Sequence, residues 1–377
     1  MIKCFAIYPH HISEEYIKKV KKTIDLAVKY KFNEVFTSIH LPEYSLEEQL
    51  ESFKIIGSYA KLNNLEVTVD IGGHFIDEVL SDEEALFILK NIPFDFVRLD
   101  YGYSIEQCKS LYDKLNFKGF VINASIYNEQ EVDNQVKNLK EIDNNIKIRA
   151  CHNYYVRQES GLEETFAIKQ DSYFTKYDIP IYYCVPTYSN PRGPLCDGLC
   201  TIERHRHKTI ADIITDLYIN YGLKAFMMAD EWLSEDEFKQ VEEILDKLTS
   251  PLNKIEDIEV KFMNNVSEEE KNIVLKKHEF RYDSSSYFLR SQSSRQMAEF
   301  AHKIKKNRLE KRVVGSITID NELYKRYSGE LQVVIKECNG DEKVNVVAKV
   351  CNRDDIVKLL RFREGIIYNF VEAKNED

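Results

Sequence analysis

The sequence predicts an α/β fold, a (β/α)8 TIM barrel followed by a smaller, mostly β domain, on three observations. Eight short apolar runs rich in β-branched and aromatic residues recur through the first 230 residues at a mean spacing of about 31, the length of a strand, a helix and two loops. Helix-capping signals lie between them, each a short polar residue with an acid or amide three positions on. After Ser250-Pro251 the pattern changes and so does the charge. Residues 1–250 carry 28 Lys+Arg against 41 Asp+Glu, net −13, whereas 251–377 carry 24 against 22, net +2.

The eight runs are Cys4–Tyr8, Glu34–Ile39, Leu65–Asp70, Phe94–Asp100, Gly119–Ser125, Ile146–His152, Ile181–Val185 and Lys224–Asp230. Between the first two, Ile17, Val20, Ile24, Ala27 and Val28 recur at helical spacing and mark one face for burial. Ser45/Glu48, Ser81/Glu84, Ser104/Gln107 and Ser234/Glu237 read as capping boxes, and Asn128/Glu131 as a weaker version. Eight such units over about 250 residues match a (β/α)8 barrel in count and length. A doubly wound open sheet is the alternative, but the glycine-rich phosphate turns GxGxxG and GxxxxGK[ST] do not occur. The barrel is therefore set at 1–250. In the second domain, 258–377, Val313–Ile319, Gly329–Ile335, Val344–Val350 and Gly365–Phe370 read as strands, with turn chemistry at Asn339-Gly340-Asp341. Asn264–Lys277 reads as a helix, and Lys303–Arg312, with six basic residues, as a solvated face.

Composition narrows the function. A formal charge of −11 over 377 residues argues against a general nucleic-acid binder, whose footprint would be a basic face. Eight irregularly spaced cysteines do not form a disulfide framework, and Met1-Ile2-Lys3-Cys4-Phe5 lacks the apolar core of a signal peptide. No apolar run approaches the roughly 18 residues of a membrane span. A cytoplasmic protein with reduced thiols is the expectation.

In such a barrel the loops after the C-terminal strand ends converge on one face. The polar residues there are His10; Thr37, Ser38, His40 and Glu43; Asp70; Arg98 and Asp100; Asn123 and Ser125; His152, Asn153 and Arg157; Arg192; Glu203, His205 and Arg206; Asp230 and Glu231. For any one of them a strand-end ion pair or a helix cap is the plainer role; their convergence favours an active site. No HExxH or strand His-x-His fixes a metal geometry, and Cys196, Cys200, His205 and His207 crowd too short a loop for a structural zinc. A serine or cysteine nucleophile lacks its motif. Carboxylates paired with arginines remain. Glycosyl transfer to water needs one protonated and one ionised carboxyl, and arginine forks match phosphate or carboxylate oxygens of an anionic substrate.

Specific strings then carry a resemblance. Phe36-Thr37-Ser38-Ile39-His40-Leu41-Pro42-Glu43, Arg98-Leu99-Asp100-Tyr101-Gly102, Asn123-Ala124-Ser125, Cys151-His152-Asn153-Tyr154-Tyr155 and Thr201-Ile202-Glu203-Arg204-His205-Arg206 resemble the bacterial 6-phospho-N-acetylmuramidases. Arg192-Gly193-Pro194-Leu195, Gly161-Leu162, Arg290-Ser291 with Ser294-Arg295, Ile317-Thr318-Ile319-Asp320-Asn321, Gly329-Glu330-Leu331-Gln332 and Asn345-Val346-Val347 extend the likeness over nearly the whole chain. The chain departs from that pattern at Asp70-Ile71-Gly72-Gly73, at Ala229-Asp230-Glu231 and at Cys200.

The resemblance implies a TIM barrel followed by a cyclophilin-like β domain. It also implies hydrolysis of 6-phospho-N-acetylmuramic acid from N-acetylglucosamine, a β-1,4 linked cell-wall disaccharide, in peptidoglycan recycling. With strand-end position it makes Asp100 and Glu203 the expected catalytic carboxylates, with Asp70 next. Arg192 and Arg206, with Arg157, are expected at the phosphate or lactate, and His152 and Asn153 at sugar hydroxyls. Asn123 and Asp230 are further substrate contacts, Asp230 being also a reserve carboxylate. Arg290 and Arg295 are candidates from the second domain. Alternatives are a phosphoglycosidase of different sugar specificity and a phosphosugar-binding protein without catalysis. No metal or cofactor is expected; the partner is a small phosphorylated disaccharide.

Overall fold

Eight parallel strands close on themselves: β1 (Ile2–Ala6), β2 (Glu34–Ser38), β3 (Glu66–Ile71), β4 (Phe96–Leu99), β5 (Gly119–Asn123), β6 (Lys147–Cys151), β7 (Ile181–Val185) and β8 (Ala225–Met228), with Ile2 of β1 opposite Ala225 of β8. The computed structural model describes residues 1–283, 285–294, 304–307, 309–362 and 365–373, with backbone alone at 73–75. The chain divides into two compact units, Met1–Leu245 and Asp246–Asp377.

The barrel helices are α1 (Glu14–Lys29), α2 (Leu46–Leu62), α3 (Gly73–Ser81), α4 (Glu83–Lys90), α5 (Ile105–Lys114), α6 (Glu129–Ile142), α7 (Glu164–Thr175), α8 (Ile210–Asn220) and α9 (Glu235–Thr249). Capping boxes close at Ser45, Ser104 and Asn128, and Ser234 exchanges the same bonds with Glu237. Ser81/Glu84 is a correction: Ser81 ends α3, and Asp82 caps α4 by accepting from Glu84 and Ala85. A carboxylate one position on has the longer reach and takes both orphan N–H groups. The buried face of α1 also differs, since Tyr16, Val20, Thr23, Ile24 and Ala27 face inward while Val28 is exposed. The Tyr16 hydroxyl sets that rotation by meeting Ser52 Oγ at 2.5 Å and donating to the Tyr8 carbonyl at 3.3 Å.

Cys4, Ala6, Phe36, Phe96, Val121, Cys151, Tyr182, Cys184 and Met227 belong to one cluster inside the barrel, and the alternating Phe5, Val35 and Val97 are buried as well. Burial on both faces is the reason these strands read as continuous apolar runs. Near the N-terminal strand ends a charged network fills the interior. Glu34 accepts from Arg149 at 2.7 Å, Tyr182 at 2.5 Å and Thr68 at 2.6 Å, and Arg149 reaches Glu66 at 2.5 Å while lying 3.7 Å over the Phe96 ring. Each buried charge there is fully partnered, the condition under which burial is tolerated.

The second unit is a curled mixed sheet. Its elements are β9 (Ile255–Phe262), α10 (Glu268–Val274), β10 (Lys277–His278), β11 (Phe288–Arg290), β12 (Ser316–Asp320), β13 (Leu331–Val334), β14 (Val344–Val350), α11 (Arg353–Leu360) and β15 (Ile367–Glu372), in the sheet order β10-β15-β9-β14-β12-β13-β11. Among the described residues only the β15–β9 pair of this sheet is parallel. The expected helix 264–277 shortens to α10 because Ser267 and Glu270 close a capping box at its start. Among the basic residues of 303–312, Lys305, Lys306 and Lys311 pair at the surface with Glu322, Glu342 and Glu337, while 303 and 308 lie outside the described residues. Arg290 makes a two-pronged pair with Glu330 within its own sheet, and Arg295 also lies outside the described residues.

Candidate active site

Asp70 of β3 and Arg98 of β4 are register partners, so their side chains leave neighbouring strands on the same face. Arg98 donates from Nη1 to Asp70 Oδ1 at 3.0 Å and from Nη2 to Asn153 Oδ1 at 2.8 Å, and the same Nη2 lies 3.0 Å from Asp100 Oδ1. One guanidinium therefore joins the strand ends of β3, β4 and β6. Burial works against its charge, but Asp70 and Asp100 outweigh that cost and hold its pKa well above the ordinary value. The Asp70 side chain is 10% exposed and that of Asp100 is 40% exposed, so Asp100 is the carboxylate open to the mouth.

Asn123 and His152, both expected to touch substrate, lie behind this surface. Asn123 is 1% exposed; its amide nitrogen donates to Asp100 Oδ1 at 3.0 Å and Asn153 Oδ1 at 2.9 Å, and its oxygen accepts from Ser125 N–H. His152 is completely buried between Ser125 Oγ at 3.0 Å and Asp171 Oδ1 at 2.9 Å, with Tyr183 donating to the other Asp171 oxygen. Ser125 in turn accepts from the Asn153 amide at 3.0 Å. Both are positioning residues: every ring or amide atom that a sugar would need is already bonded. Half-buried Asn153 is the member of this layer that reaches the mouth.

Across the mouth, the Arg192 guanidinium lies 3.5 Å over the Tyr8 ring, donates to the Tyr154 hydroxyl at 3.2 Å and stands 3.7 Å from Glu231 Oε1. His10 meets the other Glu231 oxygen at 3.0 Å. The Tyr154 phenol is pushed up by burial and feels Arg192, Asp70 and Arg98 together, which places it between the two clusters.

Glu203, Arg206 and Asp230, expected at the chemistry or at the substrate, are each engaged by groups of the protein itself. Arg206 donates to both Glu203 oxygens, at 2.7 and 2.9 Å, and Glu203 also accepts the amides of Glu159 at 2.9 Å and Gly161 at 2.7 Å. The Arg206 guanidinium further binds the carbonyls of Gly198, Tyr155 and Arg157. A side chain at Gly161 would sit 2.7 Å from Glu203, so only glycine permits the contact. Arg206, opposed by partial burial and aided by the two amides, lowers the Glu203 carboxyl to about 2. A group so acidic is no proton donor near neutrality, and its lone pairs are occupied; it staples the loops after β6 and β7. Asp230, fully buried, accepts the amides of Thr187, Arg192 and Leu199, and so holds the loop that carries Arg192. Burial raises its carboxyl against the pull of those three donors.

The staple sets a pH dependence. An ordinary glutamate near 4.5 falling to about 2 on folding contributes stability that is complete above about pH 4.5 and is lost as pH drops toward 2. Wild-type Tm is expected to fall more steeply below that point than Tm of Glu203→Gln. Parallel slopes in the two melting series would remove the assignment.

Arg157 has an exposed side chain with no ion pair among the described residues. Among those residues no three His, Cys, Asp or Glu side chains group as a metal site, and no helix is long and apolar enough to cross a membrane.

The family model described as 6-phospho-N-acetylmuramidase, N-terminal, matches residues 4–243, and its C-terminal counterpart matches 257–364. The chain belongs to the 6-phospho-N-acetylmuramidase family. It is a glycosidase. An uncharacterized B. cereus protein superposes with a TM-score of 0.62 at 23% identity, over 98% of this chain and 99% of that one. A conserved protein of unknown function from Enterococcus faecalis gives 0.56 at 26% identity, over 99% and 96%. No curated protein matches. Within this chain, Arg98-Leu99-Asp100 forms the charged bridge, and Gly161 with Glu203 and Arg206 forms the loop staple. Arg98 and Glu231 stood among the strand-end residues without a role. Arg98 was within reach of sequence reasoning, since two residues before Asp100 on a strand is the same face; Tyr154 and Tyr8 carried no such signal.

Proposed function

We propose that this glycosidase cleaves 6-phospho-N-acetylmuramic acid from N-acetylglucosamine using Asp100 and Asp70 as its paired carboxylates. The observation that carries the reading is the Arg98 bridge, which holds two carboxylates at the C-terminal mouth with the open one, Asp100, facing out. One carboxyl protonates the leaving oxygen while the other attacks the anomeric carbon or activates water. Asn153 offers its amide to sugar hydroxyls. Arg192 and the unpaired Arg157 supply fork-shaped donors for phosphate and lactyl carboxylate. Barrel 1–250 is the catalytic domain in this reading, 258–377 is cyclophilin-like, and the enzyme works in the cytoplasm in peptidoglycan recycling on a small-molecule partner.

Incubation of the purified protein with the disaccharide in 6-phosphorylated and plain form tests it. Release of N-acetylglucosamine from the phosphorylated form alone is expected. Equal release from both excludes a phosphate requirement, and release from neither overturns the assigned substrate. A second reading, another phosphoglycosidase specificity, is favoured by the loop after β3. There the His40 ring stands 3.2 Å from where a Gly72 side chain would begin and meets the Asp70 carbonyl at 3.2 Å, filling space beside Asp70.

A further inference from the structure

The loops after β8, β1 and β2 bring three aromatic rings together beside Glu231. The His10 ring lies 5.8 Å from that of Trp232, tilted by 35°, and 6.1 Å from that of Tyr44. Tyr16, buried and anchored, supports both His10 and Trp232 from below at 5.8 and 5.9 Å. Trp232 adopts a left-handed backbone, φ +53°, which is uncommon for a bulky aromatic residue and clusters at functional sites. The Lys19 ammonium covers one indole face at 4.4 Å, leaving the His10–Tyr44 side, where His10 is 38% exposed. Glu231 lies along the inner edge, 3.0 Å from His10 and 3.7 Å from Arg192.

We propose that this aromatic shelf is the subsite for the leaving sugar, a neutral pyranose such as N-acetylglucosamine. The assignment of the leaving sugar rests on the glycosidase reading above. A pyranose with equatorial hydroxyls presents C–H faces to aromatic rings and its hydroxyls to a rim, where Glu231 accepts hydrogen bonds. Arg192, which suits an anion, approaches the Glu231 oxygen that His10 does not hold, and the charge of Glu231 itself disfavours an anionic ring on the shelf.

Trp232 is the single tryptophan of the chain, so its emission reports the shelf without need of turnover. Titration of the full-length protein with N-acetylglucosamine is expected to change that emission saturably in the millimolar range. His10→Ala and Tyr44→Ala should each weaken the apparent Kd about fivefold or more, the range of one aromatic contact, while Tyr44→Phe, which keeps the ring, binds as wild type. Matching circular dichroism separates these losses from misfolding. No response up to about 50 mM, or alanine variants that bind like wild type, would overturn the subsite. Saturable binding with no hydrolysis of either disaccharide upholds the shelf and sinks the proposed substrate, whereas hydrolysis with a silent shelf does the reverse.

Discussion

Asp100→Asn is expected to lower kcat on the phosphorylated disaccharide by at least about a hundredfold, the scale of a lost general acid or base, with Asp70→Asn comparable. Asparagine keeps the shape and one acceptor oxygen, so Asn123 and Arg98 retain partners and the fold should be undisturbed. The contrast with Glu203 makes the measurement decisive. Glu203→Gln should leave a larger share of turnover and instead lower stability, because its carboxylate is spent on Arg206 and two backbone amides. Near-normal turnover in Asp100→Asn, with Tm unchanged, would remove Asp100 from the catalytic pair.

Arg98→Met should be the most damaging single change to the barrel. The guanidinium, with 9% side-chain exposure, is shared by Asp70, Asp100 and Asn153, and its removal strands Asp70 in a site 10% exposed. Breaking a buried pair from one side costs about 3–5 kcal/mol. For a barrel of this size that is a fall of roughly 10 °C in Tm. Activity should disappear with it, since both carboxylates lose the group that orients them. Arg98→Met with an unchanged melting point would mean that water, not protein, solvates Asp70.

These two predictions turn on residues of unequal legibility. Strands of the barrel were readable because they are apolar on both faces, and most helix starts because capping is local chemistry within four residues. At Asp82 two neighbouring caps competed, and reach decided. Strand β9 escaped notice because Glu256, Asp257, Glu259 and Lys261 interrupt its apolar residues; it buries alternate positions only, and one of these is Glu256, which accepts from Asn253 N–H. At the site, polar identity near a strand end indicates the neighbourhood and not the bonding partners. Asn123, His152, Glu203 and Asp230 are all there, yet Asn123 bonds Asn153 30 residues on, His152 bonds Asp171 19 residues on, and Glu203 and Asp230 accept backbone amides 31 to 44 residues back, which no local pattern encodes; the Glu203–Arg206 pair, three residues apart, is local.

Five loop amides, those of Glu159, Gly161, Thr187, Arg192 and Leu199, end on two carboxylates. Long connections after β6 and β7 would ordinarily lose conformational entropy when a ligand arrives, at a cost in affinity. Here that loss is incurred when the chain folds. A substrate held by Arg192 and Asn153 would meet them already in place, so its binding should depend on contacts made rather than on loops ordered.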